Sequence, residues 1–137
     1  MVKYRLDISS EDLELMVIGI NCLEPDYRLA WAMSKVAGFQ FERCADFVSE
    51  GDGRKFPMYQ FEDVDLMRVY HLIANRFNNQ IAVTPLEQID YLLVVTGAIT
   101  GISDELIEKI HGVDFVMLAT EIDINLIKSN ESLLSFL

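Results

Sequence analysis

Two thiols and two imidazoles are the most reactive side chains in this sequence: Cys22, Cys44, His71 and His111. A thiol becomes a nucleophile when a nearby imidazole takes its proton, so a Cys/His pair would indicate nucleophilic catalysis. His111 ends a predicted helix, where a partly positive ring suits the helix dipole, and His71 lies inside a predicted strand. The spacing does not fix any thiol beside an imidazole. We therefore predict no catalytic residue, although the sequence leaves open whether these groups meet in space.

Metal ligation is the second chemistry that the side chains could support. Zinc needs three or four ligands at characteristic spacings, and two cysteines and two histidines scattered along the chain do not supply them. Acidic groups at residues 11–14 and 62–65 do not match the loop that binds calcium. Paired carboxylates such as Glu121 and Asp123 are typical of a solvated strand end. We expect neither a metal nor a cofactor.

A glycine-bounded turn, Gly97 to Gly101, follows a predicted strand and precedes a predicted helix. Amide groups at the start of a helix can bind an anion such as phosphate. This turn lacks the lysine of the G-x-x-x-x-G-K-[ST] loop and the G-x-G-x-x-G spacing, so a plain turn is the simpler interpretation. An anion or small-molecule site formed with Asp90 and Tyr91 is the alternative.

The overall charge restricts the class of partner. The 137 residues include 22 acidic and 11 basic side chains, which gives a net charge of −11. Such an excess repels phosphate backbones and anionic lipids, so we expect neither nucleic acid nor a membrane as partner. No apolar run reaches the roughly 18 residues that span a bilayer, and the N-terminus lacks the apolar core of a signal peptide. We expect a cytoplasmic protein with reduced cysteines.

The elements that would position these residues begin with an outer strand at Tyr4–Ile8, where polar and apolar residues alternate. An apolar run over Leu13–Cys22 predicts a central strand that is covered on both faces. Helical spacing predicts a helix over Asp26–Ala37 that ends at Gly38 in a left-handed turn. The aromatic residues of Phe39–Phe47 alternate with polar ones and would share one side of a further strand.

The second half of the chain contains several short apolar runs. They predict strands over Phe56–Glu62 and Leu66–Asn75, a hairpin at Asn78, a strand over Ile89–Thr96, a helix over Asp104–His111 capped by Ser103, and a strand over Phe115–Ile122. The strand–helix–strand succession predicts a crossover that makes its two strands parallel within one sheet. We predict a single α+β domain over residues 1–137, with a largely antiparallel sheet of six to seven strands and two to three helices on one face.

Two groups of apolar residues are candidates for an interface. Tyr27 and Trp31 lie one helical turn apart, which fits either a packing pair in the core or a surface that binds a partner. The apolar tail that contains Leu134 and Phe136 would dock either on its own domain or on a second copy.

Three segments resemble the IPExxxVDY family of small bacterial proteins: residues 26–32, 84–91 and 119–123. The naming motif is matched by Pro85, Glu87, Ile89, Asp90 and Tyr91. A threonine replaces the first isoleucine, and the interval between the proline and the aspartate is one residue shorter. The resemblance implies a Bacteroidetes-type protein without an established activity and supplies no catalytic residues. Read from the residues themselves, the motif predicts a proline-led turn into a buried strand, with the Asp90 carboxylate accepting backbone donors.

Two functions from different classes follow. The first is a non-enzymatic interaction protein that binds itself, as a homodimer, or another protein through an apolar surface. The second is a small-molecule or anion-binding protein or enzyme with a cleft near Asp90, Tyr91 and the Gly97–Gly101 turn. A thermal-shift screen separates the two, because a ligand specific for the folded state raises the melting temperature.

Overall fold

A six-stranded antiparallel sheet forms the centre of the computed structural model, which describes residues 14–137. The predicted strand at Tyr4–Ile8 lies outside these residues. The strands are β1 (Leu15–Asn21), β2 (Glu42–Arg43), β3 (Phe47–Val48), β4 (Lys55–Phe56), β5 (Met58–Asp63), β6 (Arg68–Ala74), β7 (Arg76–Phe77), β8 (Gln80–Ile81), β9 (Tyr91–Gly97) and β10 (Leu118–Glu121). The helices are α1 (Asp26–Ala37), α2 (Ser103–His111) and α3 (Glu131–Leu134).

The strand order in the sheet is β10–β1–β9–β6–β5–β2, and every neighbouring pair is antiparallel. Because β9 and β10 both run antiparallel to β1, they are parallel to each other, with β1 between them. The predicted crossover and the α+β fold class are therefore confirmed. The β3–β4 and β7–β8 pairs form two further small sheets.

The sheet separates two hydrophobic cores, because alternate side chains of a strand point to opposite faces. One face is covered by α1, which buries Leu29 and Met33, and by α2, which buries Leu106 and Ile110. The other face is covered by the β3–β4 hairpin and by α3, which buries Leu133. The two longer helices share one face, as predicted, and the short α3 lies on the other.

Local sequence determines where the two longer helices start and end. α1 has the predicted bounds and ends at Gly38, whose φ of 76° is left-handed. α2 begins one residue earlier than predicted. Ser103 is its first residue and not its cap, and the hydroxyl donates to a Glu121 carboxylate oxygen at 2.7 Å. Among residues 14–137, no helix is long and apolar enough to cross a membrane.

The predicted strand over Phe39–Phe47 is wrong, because the chain forms only two short strands there, β2 and β3. Phe39 is buried in the core beneath the helices, whereas Phe47 is buried in the opposite core. The interruption between β2 and β3 moves the later residues to the other face, which periodicity alone does not reveal. The hairpin at Asn78 is confirmed, with φ values of 53° at Asn78 and 61° at Asn79.

Candidate functional site

Asp90 precedes β9 and joins three segments of the chain. One carboxylate oxygen accepts a hydrogen bond from the backbone N–H of Cys22 at 3.1 Å, and the other lies 3.4 Å from the Arg76 guanidinium. The Asp90 N–H donates to the side-chain oxygen of Asn21 at 2.8 Å. The prediction that this carboxylate accepts a backbone donor is confirmed. Both carboxylate oxygens of Asp90 are therefore engaged in contacts within the chain.

Tyr91, the first residue of β9, is buried beside this loop. Its hydroxyl donates to the Glu24 carbonyl at 2.6 Å. Burial, followed by negative neighbours that include Asp90, raises the pKa of the hydroxyl well above its ordinary value. The hydroxyl is therefore a neutral donor and not a base.

Asn75 holds the loop that contains the Pro85 to Tyr91 motif, a role that was not predicted from the sequence. The side chain is fully buried. Its amide nitrogen donates to the Leu86 and Ile89 carbonyls at 2.9 and 2.8 Å, and its oxygen accepts from the Val83 N–H at 2.9 Å. A buried amide must be paired, so an asparagine at the end of an apolar run is the signal that could have revealed this role.

Backbone geometry explains why glycine occupies both ends of the Gly97–Gly101 turn. Gly97 has a φ of 103°, and a Cβ there would lie 2.2 Å from the Met67 carbonyl oxygen. Gly101 also has a left-handed φ, of 74°. The helix that follows carries Asp104 and Glu105 in its first turn, and these carboxylates repel an anion at its N-terminus. The turn is explained by the fold without a ligand.

Asp90 and Tyr91 lie at the opposite end of β9 from the Gly97–Gly101 turn. The strand has 7 residues in extended conformation, so roughly 20 Å separates the two groups. The predicted cleft that combines them is therefore not formed, because an extended strand separates residues that are close in sequence.

The thiols and the imidazole of His71 do not form a catalytic pair. Cys22 belongs to the core beneath the helices, whereas the His71 ring packs 4.4 Å from the Phe136 ring on the opposite face. Cys44 directs its sulfur to the Met58 carbonyl at 3.5 Å. Burial raises the pKa of both thiols and lowers the pKa of His71. Both sulfurs therefore stay in the weakly nucleophilic thiol form at neutral pH.

The C-terminal tail docks on its own domain, one of the two arrangements expected. The Phe136 ring stacks on Phe47 at 6.1 Å and also covers His71. The backbone N–H of Glu131, at the start of α3, donates to the Glu50 carboxylate at 2.5 Å. Phe136 is half-buried by these contacts, and Leu134 is also half-buried. As a candidate interface residue, Phe136 already has partners within the chain.

The outer face of α1 is different, because its aromatic side chains are open to solvent. Tyr27 is 68% exposed and Trp31 is 61% exposed. Leu23, four residues before Tyr27, is 86% exposed. We call these three residues the α1 stripe. Of the two interpretations of Tyr27 and Trp31, the structure excludes core packing and leaves the surface.

Arg43 and Tyr59 flank the N-terminal end of α1 at the neighbouring sheet edge. The Tyr59 hydroxyl donates to the Asp26 carboxylate at 2.6 Å, and the Arg43 guanidinium lies 5.7 Å from the centre of the Tyr59 ring. Burial first, and then the bond to Asp26, raises the pKa of Tyr59. Neither residue is predicted from the sequence as part of a site, because only sheet pairing brings them beside the helix. Tyr, Trp and Arg are the residue types that dominate binding hot spots.

Comparisons with protein-family models, with curated proteins and with solved structures find no match to this chain. Within residues 14–137, no three His, Cys, Asp or Glu side chains gather in a way that could hold a metal ion. The function must therefore be argued from the geometry of the surface, and the α1 stripe is the candidate site.

Proposed function

We propose that this protein is a non-enzymatic interaction module that associates with a second copy of itself through the α1 stripe. The observation that carries the proposal is the exposure of Tyr27 and Trp31 on one side of a stable helix. Aromatic residues are enriched in the buried centres of interfaces, where their large apolar surface is removed from water. Association would bury both rings.

The spacing of the stripe supports a helix-to-helix contact. Tyr27 and Trp31 lie four residues apart within α1, so they align along one side of the helix, and the exposed Leu23 lies in the bend just before it. Two such helices in antiparallel orientation around a two-fold axis place the same stripe on both sides of the contact. The contact is then self-complementary: Tyr27 of one copy faces the region of Trp31 in the other.

The charges along α1 support a second copy as the partner. Residues 24–35 contain two acidic residues, Glu24 and Asp26, and two basic residues, Arg28 and Lys35, and so have no net charge in a chain of −11. Two copies can approach at this segment without the repulsion that the rest of the chain would impose. In an antiparallel pair, the acidic end of one helix lies near Lys35 of the other.

Sedimentation velocity tests this proposal. We expect wild-type protein to show a concentration-dependent dimer and Tyr27→Glu to weaken its association at least about 10-fold, because a charge is placed in the apolar contact. Val64→Glu is the matched control: Val64 is also exposed, but it lies in the turn between β5 and β6. A wild-type monomer at all concentrations, or equal loss in both variants, would contradict the proposal.

Three further proposals rest on sequence alone. The matched motif residues support membership of the IPExxxVDY family and a bacterial origin. The two free cysteines suit a reducing compartment such as the cytoplasm. The acidic excess makes a protein partner more suitable than nucleic acid.

The alternative, a small-molecule or anion site at Asp90 and Tyr91, has weaker support, because their side chains are already hydrogen-bonded within the fold. A metabolite or nucleotide that raised the melting temperature in a thermal-shift screen would favour that alternative.

A further inference from the structure

Among residues 14–137, nothing pairs with the outer edge of β5 at Glu62. The Pro57 carbonyl accepts from Ala74 on the β6 side, and the Met58 carbonyl accepts from Cys44 on the β2 side. Backbone groups alternate along a strand, so the N–H and C=O of Glu62 point away from β6. The β2 ladder ends at Gln60, and within residues 14–137 no backbone group pairs with Glu62 on that side.

The chain that could extend β2 turns away from this edge. Gln40 would lie opposite Glu62 if the register of β2 continued, because Glu42 pairs with Gln60. The backbone N–H of Phe41 instead donates to the Phe39 carbonyl at 2.9 Å. One end of β5 is thus left as a template for another extended segment.

A groove of about 410 Å³ lies against this open edge, and its lining is largely polar, with Arg43, Cys44 and Phe61 also taking part. Glu42, Glu62, Gln40 and Gln60 line it, and all four are exposed. Among the described residues, neither glutamate forms an ion pair within the chain. Arg43 does not neutralise them, because its guanidinium is 2.7 Å from Asp46. The groove therefore offers two carboxylates to a cation.

The opposite face of the same edge is aromatic. Phe61 and Phe41 lie on the helix-covered side, half-buried and 6.4 Å apart in an edge-to-face arrangement. Successive side chains of an added strand would alternate between this apolar side and the acidic groove. A segment in which apolar and basic residues alternate would therefore be complementary to the two sides of this edge.

We propose that the open edge of β5 binds an extended peptide of alternating basic and apolar residues. Its backbone pairs with Glu62, its basic side chains enter the groove beside Glu42 and Glu62, and its apolar side chains contact the Phe41 and Phe61 side. This site is independent of the α1 stripe. A second copy of the chain does not suit it, because edge-to-edge pairing brings the glutamates of two acidic edges together.

Fluorescence anisotropy of a labelled peptide of sequence Lys-Val-Lys-Val-Lys-Val tests the charge requirement. We expect the double variant Glu42→Lys with Glu62→Lys to weaken binding at least about 10-fold. The matched control is Glu108→Lys with Asp114→Lys, which changes the net charge equally at exposed positions remote from the groove. We expect less than about 2-fold loss for the control. No binding to the wild type, or equal losses in both variants, would overturn the proposal.

A second peptide separates strand addition from simple charge attraction. Lys-Lys-Lys-Val-Val-Val has the same composition but cannot alternate its side chains between the two faces. We expect it to bind at least about 5-fold more weakly than the alternating peptide, and equal binding of the two peptides would overturn the proposal. Tyr27→Glu should bind the alternating peptide as the wild type does, so this test and the self-association test can fail separately. Circular dichroism confirms that each variant is folded.

Discussion

The loop around Asp90 and the outer face of α1 use their side chains in opposite ways. In the loop, the polar groups of Asp90, Tyr91 and Asn75 have partners within the chain. On α1, Tyr27 and Trp31 leave most of their apolar surface exposed, although the Lys35 ammonium lies 5.3 Å from the centre of the Trp31 ring. Asp90 and Tyr91, the candidates for a ligand site, therefore hold the fold together, whereas Tyr27 and Trp31, which fitted either a core or a surface, are exposed.

The largest effect should come from Asn75→Ala, which removes the centre of the loop. The substitution leaves the buried Leu86 carbonyl, the partly buried Ile89 carbonyl and the buried Val83 N–H without their partners. We expect the free energy of unfolding to fall by about 3 kcal/mol in urea denaturation. Asn125→Ala, at an exposed position, should change it by less than about 0.5 kcal/mol. Equal effects at the two asparagines would show that the loop is not organised by Asn75.

Phe136→Ala tests whether the C-terminal tail packs within its own chain, in contrast to the exposed face of α1. The ring is half-buried against Phe47 and His71, so its removal should reduce the free energy of unfolding by about 2 kcal/mol. Because the contact is within one chain, the mass measured by light scattering should not change. Leu137→Ala, at a neighbouring exposed residue, is the control for stability. A change in oligomeric mass in Phe136→Ala would instead assign the tail to an interface.

The helices and strands that depend on a local sequence pattern could be predicted. Helical spacing and Gly38 defined α1, and the apolar runs defined β1 and β9, because burial on both faces leaves a continuous signal. Whether Tyr27 and Trp31 are covered could not be predicted, since aromatic residues at helical spacing look the same in a core and on a surface. Contacts such as Tyr59 with Asp26, or the groove shared by Glu42 and Glu62, depend on strand pairing between segments that are distant in sequence.

The smallest expected effect is a pH dependence at His71. Burial lowers the pKa of the folded state, so the unfolded chain binds a proton more readily. The free energy of unfolding should therefore decrease as the pH falls from about 7.5 to about 5.5, through the ordinary range of histidine. His71→Gln should flatten this dependence, whereas His111→Gln, at an exposed site, should retain it. An unchanged slope in His71→Gln would contradict the burial of this ring by the tail.

Trp31 is the single tryptophan of the chain and lies within the stripe, so its fluorescence reports the contact directly. Emission recorded from about 1 µM to about 1 mM protein should move to shorter wavelength as the indole leaves water, with a midpoint that matches the dimer seen by sedimentation. Tyr27→Glu should delay the shift to higher concentration, and Val64→Glu should behave as the wild type. Emission typical of an exposed indole at every concentration of wild-type protein would contradict self-association through α1.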